Sequence, residues 1–118
     1  MTVTLALGTA LQQSGRNAEA VEPYRRALAI FTASDGPRAL RASAVAFSLG
    51  VLLDRLRRPA EAEPPLRLAV DALHTIHGGD HPEAALALSH LATVLRKLRR
   101  RDEAREMELR VRAARSRR

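Results

Sequence analysis

The chain has 118 residues, no cysteine, 3% aromatic residues and a formal net charge of +7. The missing thiols exclude disulfides, thiolate zinc sites and cysteine nucleophiles, and an apolar fraction built largely from Ala and Leu favours closely packed helices over a β-sandwich. All of the charge sits at one end: residues 1–95 hold nine Arg and nine Asp or Glu, whereas 96–118 hold eleven Lys or Arg and four Asp or Glu.

The first segment, 2–14, is apolar nearly all round and predicts a helix. No charge interrupts Met1 to Gly15, but the stretch is too short and too polar to span a bilayer. It also lacks a basic leader, so a cytoplasmic protein is expected. "SGRN" at 14–17 is a turn and leads into an amphipathic helix over 17–33. "SDGP" at 34–37 opens a second apolar helix, 37–56, with the run "ALRASAVAFSLGVLL". A helix apolar on every side has to be covered on every side. After "RRP" at 57–59, residues 59–76 place Leu66, Ala69, Val70, Leu73 and Ile76 at three- and four-residue spacing, with Glu61, Glu63, Arg67 and Asp71 on a wet face. "HGGDHP" at 77–82 precedes a third apolar helix, 81–98, for which Asp80 is the expected N-cap and Glu83 completes a capping box. The last helix, 101–116, is amphipathic, with Asp102–Arg105 and Glu106–Arg110 at ion-pairing spacing. Pro23, Pro64 and Pro65 lie near enough to helix starts to bend the helices slightly without breaking them.

Residues 42 apart repeat one another: Leu7/Leu49, Gly8/Gly50, Leu11/Leu53, Arg16/Arg58, Ala18/Ala60, Glu19/Glu61, Ala20/Ala62, Pro23/Pro65 and Ala27/Ala69 are identical. Leu91, Leu95, Arg100, Glu103 and Ala104 continue the series. A fixed period of this size signals stacked supersecondary units. Each unit is a helical pair, and Gly8/Gly50/Ala92 with Ala20/Ala62/Ala104 supply the small residues that let the pair cross at close range. Leu11/Leu53/Leu95 and Ala27/Ala69/Val111 fill the space around that crossing.

This pattern resembles the tetratricopeptide repeat. Leu7-Gly8, Leu11, Ala20, Tyr24 and Ala27 match in the first unit. Leu49-Gly50, Leu53, Ala62, Leu66 and Ala69 match in the second, and Leu91-Ala92, Leu95 and Ala104 in the third. Glu108 departs from the pattern, standing where a bulky apolar residue belongs. The 42-residue period, "EAVEPYRRALAI" and "GGDHPEAALALSHLATVL" are similar to the kinesin-light-chain-like subclass. The resemblance implies an all-α, right-handed solenoid of three helix-turn-helix repeats, six helices in all. It implies one domain over 1–118, with repeats at about 1–36, 37–78 and 79–118. It also implies a non-catalytic scaffold for protein binding, of a kind common in bacterial multidomain regulators, and the chain could be a fragment of such a regulator.

Candidates for other chemistry are weak. His74, His77 and His81 have a metal-like spacing, yet two of them close a helix and the third belongs to the turn, so no metal or cofactor is expected. Ser89 and His90 are adjacent on a helix and point apart, which argues against nucleophilic catalysis. Glu19, Glu61 and Glu103 recur one per repeat and read as surface charges that orient the second helix. The basic segment 96–118 is an alternative site for anions or nucleic acid. Its interleaved carboxylates and lack of aromatics disfavour nucleic acid and suit a solvated end or an acidic protein partner.

The resemblance also implies a concave groove lined by the first helices. By repeat position it presents Leu5, Thr9, Gln12 and Gln13, then Phe47, Val51, Asp54 and Arg55, then Ser89, Thr93, Arg96 and Lys97. The family's carboxylate clamp needs Asn and Lys at set positions, and Asn17 is the one Asn, so a chaperone C-terminus is not the expected ligand. A segment with an acidic side and an apolar anchor is, held through Arg55, Arg96 and Lys97. Finally, the first helix has a neighbour on one side only, so Val3, Leu5, Leu7, Ala10 and Leu11 cannot all turn inward. This end is expected to be covered by a preceding repeat or by a second copy in a homodimer, the latter making the chain a self-association module.

Overall fold

The computed structural model describes residues 3–78 and 80–116. Thr2, expected to open the first helix, and Arg117 and Arg118 of the basic segment lie outside the described residues. Six helices follow one another: α1 (Val3–Gln13), α2 (Asn17–Asp35), α3 (Leu40–Arg55), α4 (Pro59–His77), α5 (Pro82–Lys97) and α6 (Arg101–Ser116). Each packs on the next in chain order, and α3 also touches α5. The result is a two-layer solenoid with α1, α3 and α5 in one layer and α2, α4 and α6 in the other. Among the described residues, the only close backbone approach within a layer is between α3 and α5, whereas the second helices meet through side chains alone, so the stack curves toward α1, α3 and α5.

The small residues sit where the repeat places them. Ala20, Ala62 and Ala104 are buried, as are Gly8, Gly50 and Ala92. Gly50 is the tightest crossing: a Cβ there would lie 2.5 Å from Leu66 Cγ and 2.7 Å from its Cδ2. At Gly8 the nearest atoms, from Pro23 and the Tyr24 ring, are 3.4 Å away. Residues 24, 66 and 108 are register equivalents. Opposite Tyr24 and Leu66 the chain keeps Gly, and opposite Glu108, which turns outward to Arg96 at 2.7 Å, it carries Ala92. The departure of Glu108 from the repeat pattern thus has a local counterpart.

Each first helix ends in the same motif. In α1, Gly15 N–H donates to Gln12 O and Arg16 N–H to Leu11 O; the same pair of bonds closes α3 through Arg57 and Arg58, and α5 through Arg99 and Arg100. This two-bond closure needs a left-handed residue. Gly15 adopts it at φ 81°, but Arg57 and Arg99 are forced into it at φ 62°.

Several expectations change. α3 begins at Leu40 rather than 37, because Gly36–Ala39 closes a turn (Ala39 N–H to Gly36 O, 3.3 Å) with Pro37 at its second position. Asp80 is not the cap of α5: His81 is, and its Nδ1 accepts the Glu83 N–H at 3.2 Å. Among the described residues no ion pair joins Asp102 to Arg105 or Glu106 to Arg110. Glu103 pairs instead with Arg100 and Arg67, and Arg110 reaches Met107 Sδ. The helices run unbroken through Pro23, Pro64 and Pro65.

The crossing and the helix ends can each be tested by substitution. Gly50→Ala gains helix propensity of about 0.5–1 kcal/mol but overpacks the Leu66 contact at about 1–3 kcal/mol. It should therefore lower stability, whereas Gly8→Ala, with ordinary contacts, should raise it slightly. Opposite signs in urea unfolding check this, and a gain in both would disprove the tight crossing. Replacing Arg57 or Arg99 by Gly relieves a left-handed residue worth about 1–2 kcal/mol, less the entropy that Gly adds to the unfolded chain. Each should stabilise the fold by about 0.5–1 kcal/mol, read as a raised urea midpoint at unchanged slope, and the two should add.

Candidate interaction surface

The inner face is built from α1, α3 and α5. Phe47 is half-buried on it and meets His90 of the next repeat edge to face, with centroids 5.3 Å apart at 79°. Burial pushes the His90 imidazole below its ordinary value; Asp54 opposes this and Arg55 adds to it. Beside Phe47 lies a hollow of about 350 Å³, floored by Leu73 of α4 and walled by Ala44 and Ser48, with exposed Leu40 and Leu86 at its rim and Glu83 at its edge. Sequence reasoning placed Phe47 here and missed His90, Leu40 and Leu86. His90 is the register equivalent of Ser48, a signal present in the repeat alignment.

The remaining groove candidates divide by what they touch. The Tyr24 hydroxyl donates to Gln12 Oε1 at 2.6 Å and approaches Thr9 Oγ1 at 3.5 Å, so these two are tied to α2. Thr9 and Thr93 also bond back to carbonyls one turn earlier, Leu5 O and Ser89 O. Lys97 Nζ reaches Asp54 at 2.7 Å across the repeat boundary, and Arg96 is engaged by Glu108. Val51 is half-buried, and Arg55 is exposed with no ion pair among the described residues. Of the three cations at groove positions, two are therefore already neutralised from within.

The outer layer is stitched by a recurring set of pairs. Arg16–Glu19, Arg58–Glu61 and Arg100–Glu103 form inside each second helix or at its start. Arg25 reaches Glu61 at 2.9 Å, and its register equivalent Arg67 reaches Glu103 at 3.5 Å. The Arg58 and Arg25 guanidiniums hold the Glu61 carboxyl down from 4.5 to about 2. The recurring glutamates thus orient the second helices across repeats as well as within them.

Among the described residues, His77, His81 and Glu83 bring three ligand-type atoms within 4.8 Å of one another, and His74 does not join them. The His77 and His81 rings are stacked, with centroids 4.1 Å apart at 18°. Near-parallel rings aim their lone pairs along parallel planes, so they cannot share one ion as they stand. His81 Nδ1 is moreover occupied as the helix cap. Among the described residues no helix is long and apolar enough to cross a membrane.

Residues 1–75 match a family model described as tetratricopeptide repeat, and residues 84–117 match a second model of the same description. Curated protein sequences yield no match. Solved structures do. BtubC (BKLC) from P. vanneervenii superposes with a TM-score of 0.84 at 21% identity, over 96% of this chain and 44% of that one. A Podosopora anserina putative kinesin light chain with nearly identical TPR-like repeats superposes at 0.78 with 22% identity, over 96% and 54%. A variant of that same protein gives 0.80 at 22%, over 96% and 53%. This chain spans about half the length of the solved chains it resembles, and its repeat geometry is that of kinesin-light-chain-like arrays.

Proposed function

The chain belongs to the tetratricopeptide repeat family, and on that premise we propose that it is a non-catalytic scaffold whose inner face holds a protein or peptide segment. The repeats are taken as 1–36, 37–78 and 79–118 of one unit. The observation that carries the reading is the apolar hollow beside Phe47, rimmed by two exposed leucines on a face that is otherwise half-buried and polar. It fits one bulky apolar side chain. His90 lies beside it against Phe47, and Arg55, near enough to His90 to act on it, suits an acidic neighbour further along the same ligand, whereas Arg96 and Lys97 contribute less because Glu108 and Asp54 already hold them.

A second reading is favoured by one specific contrast. Val3 and Leu7 are 86% and 51% exposed, whereas their register equivalents Val45 and Leu49 are 3% and 2% exposed, covered by the preceding helical pair. Leu5 and Leu11 pack partly against the core, so the uncovered apolar face of α1 is formed by Val3, Ala6, Leu7 and Ala10. A helix from a second copy or from a further repeat would cover it, and self-association through α1 is the form open to the isolated chain.

The groove reading is checked by capture of ligands on wild type and on Leu86→Glu, which charges the rim without touching the core. Ligands retained by wild type should be lost by Leu86→Glu and kept by Ile30→Glu on the outer face; equal retention on both variants would sink it. For self-association, light scattering across a concentration series should show a mass that rises toward a dimer and falls back to monomer in Leu7→Glu. A monomer at every concentration would leave α1 uncovered in isolation and remove the second reading.

A further inference from the structure

We propose that the exposed side of α6, where it meets the end of α5, is a second docking site, for an acidic protein segment that carries an apolar anchor. It adjoins the groove at Arg96 but does not depend on the hollow beside Phe47.

The first observation is where uncompensated charge lies. Residues 1–95 are neutral in sum, and the ladder of Arg–Glu pairs absorbs much of their charge. In the last helix the described carboxylates that pair, Glu103 and Glu108, are engaged by Arg100, Arg67 and Arg96. Arg101, Arg105, Arg112 and Arg115 have no ion pair among the described residues. At i, i+4, i+11 and i+14 they fall within roughly 80° of one another around the helix, a stripe of guanidiniums interrupted by Glu108, whose carboxylate Arg96 holds.

The second is shape. A hollow of about 400 Å³ opens on this stripe, with Ala104 and Leu109 as its apolar part, Arg101, Arg105 and Arg112 around them, and the Arg96–Glu108 pair at one side. Leu109 is 53% exposed. A leucine beside three guanidiniums that have no ion pair among the described residues, with Arg96 already held by Glu108, is matched by an apolar side chain flanked by carboxylates. Each Arg can grip a carboxylate in bidentate fashion.

The third is the register. Arg112 stands where α2 and α4 have Leu28 and Val70, and Arg115 where they have Phe31 and Leu73; those four are buried or half-buried toward the following first helix. Leu109 stands where Arg25 and Arg67 reach forward to the glutamate of the next second helix. α6 therefore lacks the stacking chemistry of α2 and α4. An apolar helix laid on it would bury guanidiniums without partners, which is strongly unfavourable. An acidic segment returns those partners. Nucleic acid would satisfy the arginines, but it offers nothing to Leu109, and no aromatic residue in 96–118 is present to stack on a base.

The test is fluorescence anisotropy with three probes: a short labelled peptide of glutamates around a central leucine, the same peptide with serine in place of leucine, and a labelled DNA duplex. At low salt the Glu–Leu peptide should bind, and raising salt to roughly 150 mM should weaken it. The triple variant Arg101→Gln, Arg105→Gln, Arg112→Gln should lose roughly tenfold or more in affinity. Leu109→Ser, and separately the leucine-free peptide, should each lose about threefold or more. Arg55→Gln in the groove should stay within about twofold of wild type. Circular dichroism confirms that these exposed substitutions keep the helices. No saturable binding at low salt overturns the proposal, as does tighter binding of the duplex than of the peptide, or indifference to leucine on both sides. A loss in Arg55→Gln equal to that of the triple variant overturns it too, and would place the acidic ligand in the groove.

Discussion

The close crossing of the two helices within each repeat is the contact on which the rest of the molecule depends. Gly50 has no Cβ, so the Leu66 side chain occupies the space that one would take, and the buried face of α3 is set by that approach. Because the crossing recurs every 42 residues, each helical pair presents the same surfaces to its neighbours, and stacking follows with no further instruction. The third pair shows how much hangs on one position. Ala92 replaces Gly, the facing residue becomes Glu108, and its carboxylate swings out to Arg96. One change at a packing position thereby sets the electrostatics of the end of the stack.

Charge is handled with the same periodicity. Arg25 to Glu61 and Arg67 to Glu103 join successive second helices whose backbones do not touch. Each pair is exposed to solvent and individually weak, too weak to account for the fold. What the ladder does is fix the relative register of helices that have few other direct contacts. The depressed Glu61 carboxyl reports the same geometry, since two guanidiniums converge on it from different repeats. Stability from that group is present above its ordinary value of 4.5 and is lost as pH falls toward about 2.

Features carried by spacing were legible in the sequence: six helices, the small residues at the crossing, the paired Leu positions and the end-weighted charge. Features decided by which side chain meets which across elements were not. Gly15 announces its turn, but Arg57 and Arg99 do the same task at φ 62° and look like ordinary charged residues in a basic run. Asp80 is the better capping residue by type, yet the chain closes through His81, whose ring is stacked on His77. Glu106 and Arg110 have the right spacing to pair, and neither residue type nor spacing reveals that Arg110 is drawn to Met107 instead. Repeat register alone says nothing of which side chain a groove position meets. Gln12 and Tyr24, and two repeats on Arg96 and Glu108, are the same two positions meeting across the same helical pair, a relation visible only once the pair is folded.

These pairings divide the recognition chemistry between two places. At the groove positions Lys97 is drawn back to Asp54 of the preceding repeat and Arg96 to Glu108 of its own helical pair, so beside Arg55, which has no ion pair among the described residues, what is left for a ligand is chiefly apolar shape: Phe47, Leu40 and Leu86 around a hollow. Binding proposed at that hollow would draw on desolvation and depend weakly on salt. On α6 the positions that serve stacking in α2 and α4 carry arginine, and their charge is not cancelled from within. The association proposed there would draw on long-range attraction, which raises the encounter rate and favours acidic partners. A repeat fold thus yields two surfaces of opposite character from one recurring template. Positions 112 and 115 share their register with 70 and 73 and differ in side chain, and that difference converts a packing face into a charged one.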